Sequence, residues 1–493
     1  MTKLEKANQY QEKHRVSKSE KPVFHVTSPT GWMNDPNGFS VYQGKVHLFY
    51  QYHPYSDEWG PMHWGHAVSD DFVKWEELPP ALAPDTDYDG GGCFSGSAIE
   101  TDEGQALVYT GVQETENEDG IKKNFQNQCL AIGDGVHYEK VRENPVVPAA
   151  LLPEEYSRED FRDPKIWKEK ETYYLVAGSK DAKNDGQAVL FASEDLRHWQ
   201  YLSVLADNRG KYGKMWECPD FFALCGKHIL IVSPMNMQAD GKEFHNGNQS
   251  IAMIGEYDRQ NYHLLEEQVV SLDYGLDFYA PQTLQTEDGR RIMIAWMQSW
   301  DMNIKPEEQK WNGMMTIPRE LELKDDILYQ NPVKELEYYR TEPVFYKKKE
   351  ISATCSLPEI HGRVLDLTVE LVSGDYEKFS IIFAKNETYE TRFQYLKSAE
   401  TIAFDRTRCG LTKDVVCRRE MKIRKAGTTL KLRLLLDKFS VELFVNDGVQ
   451  TFTSTFYTPL DAKDVILECD GTALVNIEKY KITLDRARRE NEI

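Results

Sequence analysis

A weak repeat with a period near 63 residues constrains this chain more than any other feature. A polar or acidic turn followed by an aromatic residue recurs as Ser69-Asp70-Asp71-Phe72-Val73-Lys74-Trp75, Gly133-Asp134-Gly135-Val136-His137-Tyr138, Ser193-Glu194-Asp195-Leu196-Arg197-His198-Trp199 and Tyr257-Asp258-Arg259-Gln260-Asn261-Tyr262. A degenerate fifth copy ends at Tyr329, and the aromatic positions 75, 138, 199, 262 and 329 are spaced by 63, 61, 63 and 67 residues. That spacing accommodates a four-stranded sheet with its turns, and each period contains one strand-like apolar run: residues 46–52, 106–110, 173–177, 229–233 and 292–296. Five such sheets arranged radially predict an all-β, five-bladed β-propeller with a central channel.

After Trp311 the composition changes, because all ten Trp lie at or before that position. Alternating runs such as 364–371, 379–383, 430–436 and 441–445, separated by short turns including Val445-Asn446-Asp447-Gly448, predict a C-terminal antiparallel β-sandwich. The expected division is an N-terminal extension over 1–22, a propeller over 23–340 and a sandwich over 341–493. The extension begins with a charged stretch that reads as a short exposed helix and lacks the apolar core of a signal peptide. No run is long and apolar enough to span a bilayer as a helix, and eight scattered cysteines without paired metal spacing read as reduced thiols. A cytoplasmic protein is therefore expected. A formal net charge of −21 argues against nucleic acid and anionic membranes as partners.

Three acids stand in similar brackets: Asp35 in Trp32-Met33-Asn34-Asp35-Pro36-Asn37-Gly38, Asp163 in Phe161-Arg162-Asp163-Pro164-Lys165, and Glu217 in Trp216-Glu217-Cys218-Pro219-Asp220. Each bracket alone would read as a turn. Asp35 lies 40 residues before Trp75, Asp163 lies 36 before Trp199, and Glu217 lies 45 before Tyr262, so all three occupy comparable places in blades one, three and four. If those places are the innermost strands, the acids meet at one mouth of the channel. Phe94-Ser95-Gly96-Ser97 and Phe278-Tyr279-Ala280-Pro281-Gln282 fall at the same phase in blades two and five.

Two carboxylates flanking a glycosidic bond suffice for hydrolysis, and a third can hold hydroxyls and balance charge. Trp216, Cys218 and the like charge of Asp220 should raise the pKa of Glu217, suiting it to general acid catalysis. Asn34 and turn N–H groups should keep Asp35 ionised as a nucleophile, and Arg162 should do the same for Asp163. Competing readings are weaker: His63-x-x-His66 lacks a second pair of metal ligands, and Gly90-Gly91-Gly92 lacks the Lys-Ser/Thr of a phosphate loop. Neither a metal nor a cofactor is expected.

At these three motifs the sequence resembles glycoside hydrolase family 32, which comprises invertases, fructanases and sucrose-6-phosphate hydrolases. The resemblance extends to Asp437-Lys438-Phe439-Ser440-Val441-Glu442 in the C-terminal part. It implies a retaining β-fructofuranosidase with Asp35 as nucleophile, Glu217 as acid/base and Asp163 as transition-state stabiliser. By the same resemblance, Asn34, Gln51, Trp59, Phe94, Ser95, Arg162, Tyr279 and Trp296 are implied as substrate contacts. The implied partner is a small saccharide: sucrose, sucrose 6-phosphate or a short fructo-oligosaccharide. Three rivals remain: an inverting arabinan-cleaving relative, a fructosyltransferase using the same acids, and a non-catalytic sugar-binding propeller.

Overall fold

The computed structural model describes residues 1–116, 122–411, 415–424, 427 and 429–485; the end of the expected C-terminal domain, 486–493, lies outside them. Five antiparallel sheets form a ring. Their innermost strands are Gly31–Tyr42, Gly92–Thr101, Phe161–Glu169, Met215–Leu224 and Tyr279–Gln285, and each is followed outwards by strands in chain order. Each innermost strand touches the innermost strands of the blades on either side, which closes the circle around the channel. Between neighbouring blades lie dry seams such as Ala106, Val108, Phe161, Leu175 and Phe191, the burial that holds one sheet face to face with the next.

The repeat has a local chemical basis. In blades one to four it is the turn leading into the outermost strand, and its Asp caps the turn: Asp71 Oδ1 accepts from the N–H groups of Val73 and Lys74 at 3.0 and 2.8 Å. Asp134, Asp195 and Asp258 do the same for the second and third residues after them. The closing indoles of Trp75 and Trp199 then donate back to the carbonyls of Phe72 and Leu196, at 3.0 and 2.9 Å. The fifth copy differs because Asp325 and Asp326, both at positive φ, make a tight turn between Arg319–Lys324 and Ile327–Pro332.

Ring closure is made by backbone. Trp311–Asn312 pairs in parallel with Gly31 and Trp32 at the start of the first innermost strand, and Met315 N–H donates to the carbonyl of Val26. The N-terminal helix, Lys3–His14, starts with reciprocal Thr2 and Glu5 caps and lies along Trp75–Leu82 with Ala7 and Gln11 buried, so it is seated on blade one and only its outer face is exposed. No helix among the described residues is long and apolar enough to cross a membrane.

The C-terminal strands from Arg340 to Ile482 pair antiparallel and fold into a sandwich. The long strands Arg340–His361 and Asp464–Ile482 shift register several times, and apolar residues of the folded sheet, including Leu367, Phe379, Phe404, Leu434, Leu443 and Phe452, share one core. Where sandwich meets propeller, charges are fully buried. Arg319 bonds Glu442 at 3.0 Å through Nε and Asp273 at 3.1 Å through Nη1, and Arg406 reaches Asp277 at 2.6 Å. His25 spans Asp437 and Glu442, at 2.9 Å to each.

Candidate active site

Every innermost strand carries one extra residue at the same level, near its N-terminal end. The ladder skips Asn34-Asp35, Ser95, Asp163-Pro164, Cys218-Pro219 and Ala280-Pro281. Proline suits such a place because it has no N–H to lose from a ladder, and a bulge turns side chains out of the ordinary alternation. Asp163, Cys218 and Ala280, the first bulge residues of blades three to five, all adopt positive φ (65°, 49° and 52°). The bulges aim the acids of three blades at one point.

At that point Asp35 Oδ2 accepts a 2.6 Å hydrogen bond from Ser95 Oγ, and Oδ1 accepts from Asn34 Nδ2 at 3.1 Å. Asn34 is itself fixed by the indole N–H of Trp32 at 2.7 Å. Asp163 accepts the backbone N–H of Cys218 at 2.9 Å, and its own N–H donates to Thr110 Oγ1 at 2.9 Å. The Cys218 thiol joins the two acids, 3.5 Å from Asp35 Oδ2 and 3.7 Å from Asp163 Oδ2. Glu217 is held by Arg162, whose Nε and Nη2 lie 3.1 and 3.0 Å from Oε1, and by the hydroxyl of Tyr279 at 2.8 Å from Oε2. That hydroxyl is also 2.9 Å from the carbonyl of Ser233.

The electrostatics depart from the sequence-based expectation. Burial, followed by repulsion from Glu217, pushes Asp35 up to about 6, against the opposing bonds from Ser95, Asn34 and Cys218. Burial also raises Asp163 to about 7, with Glu217 and Asp35 adding to it and Arg162 only partly offsetting it. The turn N–H groups expected beside Asn34 are replaced by the side chains of Ser95 and Cys218, and the three donors together are too few to cancel desolvation of Asp35. The expected neighbours of Glu217 are also elsewhere. Asp220, past the bulge, faces Lys165 at 3.1 Å and the Thr283 N–H at 2.6 Å, and Trp216 donates its indole N–H to Tyr212. The like charges acting on the site are the acids of the other blades.

Of the remaining expected contacts, Gln51 is buried and donates to the Cys93 carbonyl at 3.0 Å. Trp59 is 50% exposed and packs edge-on against Phe94 at the rim. Trp296 has no exposed surface and stands edge-on to Trp32 and Trp300, forming a wall behind the site. His63 and His66 are buried separately, His63 against the Pro61 carbonyl and His66 against His47. Cys218, expected from the sequence only as a neighbour of Glu217, instead bridges Asp35 and Asp163, and Thr110 and Trp32 join the site beyond the expected contacts. Arg162-Asp163-Pro164, Glu217-Cys218-Pro219 and Tyr279-Ala280-Pro281 share a register that would have aligned Cys218 with Asp163.

Two family models match in tandem: the glycosyl hydrolases family 32 N-terminal domain over residues 25–332 and the family 32 C-terminal domain over 335–483. The chain belongs to glycosyl hydrolase family 32. Among family 32 relatives, a sucrose-6-phosphate hydrolase of Escherichia coli is 37% identical over 451 residues, covering 90% of this chain and 91% of its own. A raffinose invertase of the same organism is also 37% identical, over 450 residues, with coverage of 90% and 91%. The solved family 32 beta-fructofuranosidase of Bombyx mori superposes with a TM-score of 0.84 at 33% identity, covering 97% of this chain and 98% of that one.

Proposed function

We propose that the protein is a retaining β-fructofuranosidase that releases terminal fructose from sucrose, sucrose 6-phosphate or short fructo-oligosaccharides. The observation that carries this reading is the convergence of Asp35, Asp163 and Glu217 on one bulged level of three blades, with a different hydrogen-bonding environment for each. Among the described residues no cation contacts Asp35, which is approached by Ser95 and Asn34, so its carboxylate is free to attack the anomeric carbon from one side. Glu217 protonates the glycosidic oxygen as the bond breaks, then takes a proton from the water that resolves the glycosyl-enzyme. Tyr279 fits that alternation. Its single hydroxyl proton can serve ionised Glu217, or turn to the Ser233 carbonyl while its oxygen accepts from protonated Glu217. Asp163, fixed by two backbone-linked bonds, holds sugar hydroxyls and opposes the oxocarbenium charge.

The raised affinities of Asp35 and Asp163 for protons mean that the cluster keeps a proton near neutrality and titrates as a unit. The reactive form has a charge on Asp35. All eight cysteines are free thiols, which fits action on an imported sugar in the reducing cytoplasm. Two relatives bearing the names sucrose-6-phosphate hydrolase and raffinose invertase support fructose-containing substrates.

The test is fructose release from sucrose and sucrose 6-phosphate by wild type and Asp35→Ala, side by side. Release by wild type and none by the variant is expected. Folded wild type that releases fructose from neither these nor longer fructans would overturn the reading.

A further inference from the structure

The same five innermost strands that present the acids at their N-terminal ends enclose a second cavity at their C-terminal ends. Its volume is about 550 Å³, and it is lined by residues such as Val41, Glu100, Lys165, Ala223 and Gln285. From Asp163 to Trp167, which lines it, is four residues of strand, or roughly 13 Å. The cavity is thus the opposite mouth of the channel, separate from the acids.

Its charge is distributed unevenly. Lys165 is satisfied by Asp220 at 3.1 Å and by the Thr283 carbonyl. Arg291 is not. No carboxylate lies within ion-pairing distance of it among the described residues, its Nη atoms have only long contacts to Thr283 Oγ1 (3.4 Å) and Gln285 Oε1 (3.5 Å), and its buried Nε has no partner. The guanidinium lies over the Phe222 ring at 4.6 Å, which leaves its edge open. Nearby His228 also has a buried Nδ1 without a partner, and burial holds it below its usual range, as a neutral donor or acceptor. Exposed Lys168 adds a second cation at the rim, its ammonium over the Tyr173 ring at 4.8 Å. The acids lining this space are Glu100, which is exposed, and Glu169, whose Oε2 is taken by Arg259 at 2.7 Å; Asp220, held by Lys165, acts on Arg291 from beyond ion-pairing distance. A buried donor with nothing to donate to is costly, and an oxyanion is the group that removes the cost at a guanidinium edge.

We propose that this opposite mouth of the channel is a binding site for a small organic phosphate, with the phosphate on Arg291, the rest of the molecule in the cavity and Lys168 contributing charge from the rim. The volume lies within the range of small-molecule sites and exceeds what inorganic phosphate alone would fill. In a chain of net charge −21, this is a local cationic exception.

The experiment is a titration of the intact protein with inorganic phosphate and with glucose 6-phosphate, against chloride at matched ionic strength, reading tryptophan fluorescence and melting temperature. Trp167 lines the cavity and reports on it. Wild type should saturate with both, glucose 6-phosphate binding more tightly; Arg291→Gln should bind about tenfold more weakly or worse, and Arg291→Lys should recover part of the loss. Fructose release from sucrose without added phosphate should be unchanged in Arg291→Gln. The exposed Lys168→Glu serves as a second variant and should also weaken binding. Identical titrations in wild type and the variants, or no saturation of wild type by about 10 mM ligand, would overturn the site. Tighter binding of inorganic phosphate than of the sugar phosphate would overturn the organic ligand.

Discussion

The molecule buries two groups of carboxylates, and they behave in opposite ways. At the channel mouth, Asp35, Asp163 and Glu217 share one guanidinium, that of Arg162, and burial pushes Asp35 to about 6 and Asp163 to about 7. At the interface between propeller and sandwich, Asp437 and Glu442 would also be raised by burial. There the effect is overcome by His25 and backbone N–H groups at Asp437, and by Arg319 with His25 at Glu442, so both carboxyls fall below their ordinary range. His25 would be lowered by burial, yet its bonds to the same two acids raise it to about 9. Residue types and depth are alike; the supply of donors differs. The interface gives each of its acids a cation and so joins propeller to sandwich, whereas three acids of the site share the one guanidinium, and a substrate can meet the rest.

If that contrast is right, neutralising an acid should have opposite consequences in the two places. The largest effect expected is on turnover: Asp35→Asn should lower kcat by about 10⁴-fold or more, measured as fructose release, because a nucleophile cannot be replaced by its neighbours. Next is Arg319→Gln, which leaves Asp273 and Glu442 buried with fewer donors. It should cost about 3–5 kcal/mol in urea unfolding at pH 7, and a near-neutral result would break the comparison.

Smaller and of opposite sign, Asp35→Asn should stabilise the fold at pH 7.5 by about 1–3 kcal/mol. The sign follows from a folded pKa above the unfolded one. Between about 4 and 6 the native state binds the extra proton, so wild-type stability falls as pH rises through that window. The gain should therefore vanish near pH 4. The same ionisations should set an acidic limb near pH 6–7 in kcat/KM. The His25 effect is similar in size to that of Asp35. Its stabilisation is complete below about 6.5 and is lost as pH rises towards 9, and His25→Gln should remove that slope from a melting-temperature profile taken between the two.

Much of this architecture is legible in the sequence because it is locally encoded. An Asp that caps its own turn, with an aromatic four residues on, leaves a mark in blades one to four that spacing alone reveals. The acids are legible for a related reason: proline after Asp35, Asp163 and Cys218 signals the bulges that aim them. What depends on other blades is hidden. Asp220 stands three residues from Glu217, but the bulge between them turns it to Lys165 on another strand, so the like charge expected from the sequence is absent. The raised pKa of Asp35 is hidden because desolvation comes from the assembled ring, and the Trp32-Met33-Asn34 bracket cannot report it. Trp296 stands behind Trp32 for the same reason.

The parallel pairing of Trp311–Asn312 with Gly31 and Trp32 also sets an order of events during synthesis. Gly313, at φ 88°, has room for no side chain against the Met33 carbonyl, so residues 311–313 press onto the backbone that leads directly into Asn34 and Asp35. The ribosome makes Asp35 well before the backbone that clamps its strand, since Trp311 follows 276 residues later. A nascent chain therefore carries its nucleophile long before that strand has its final support, and the last blade to emerge completes the seating of the first.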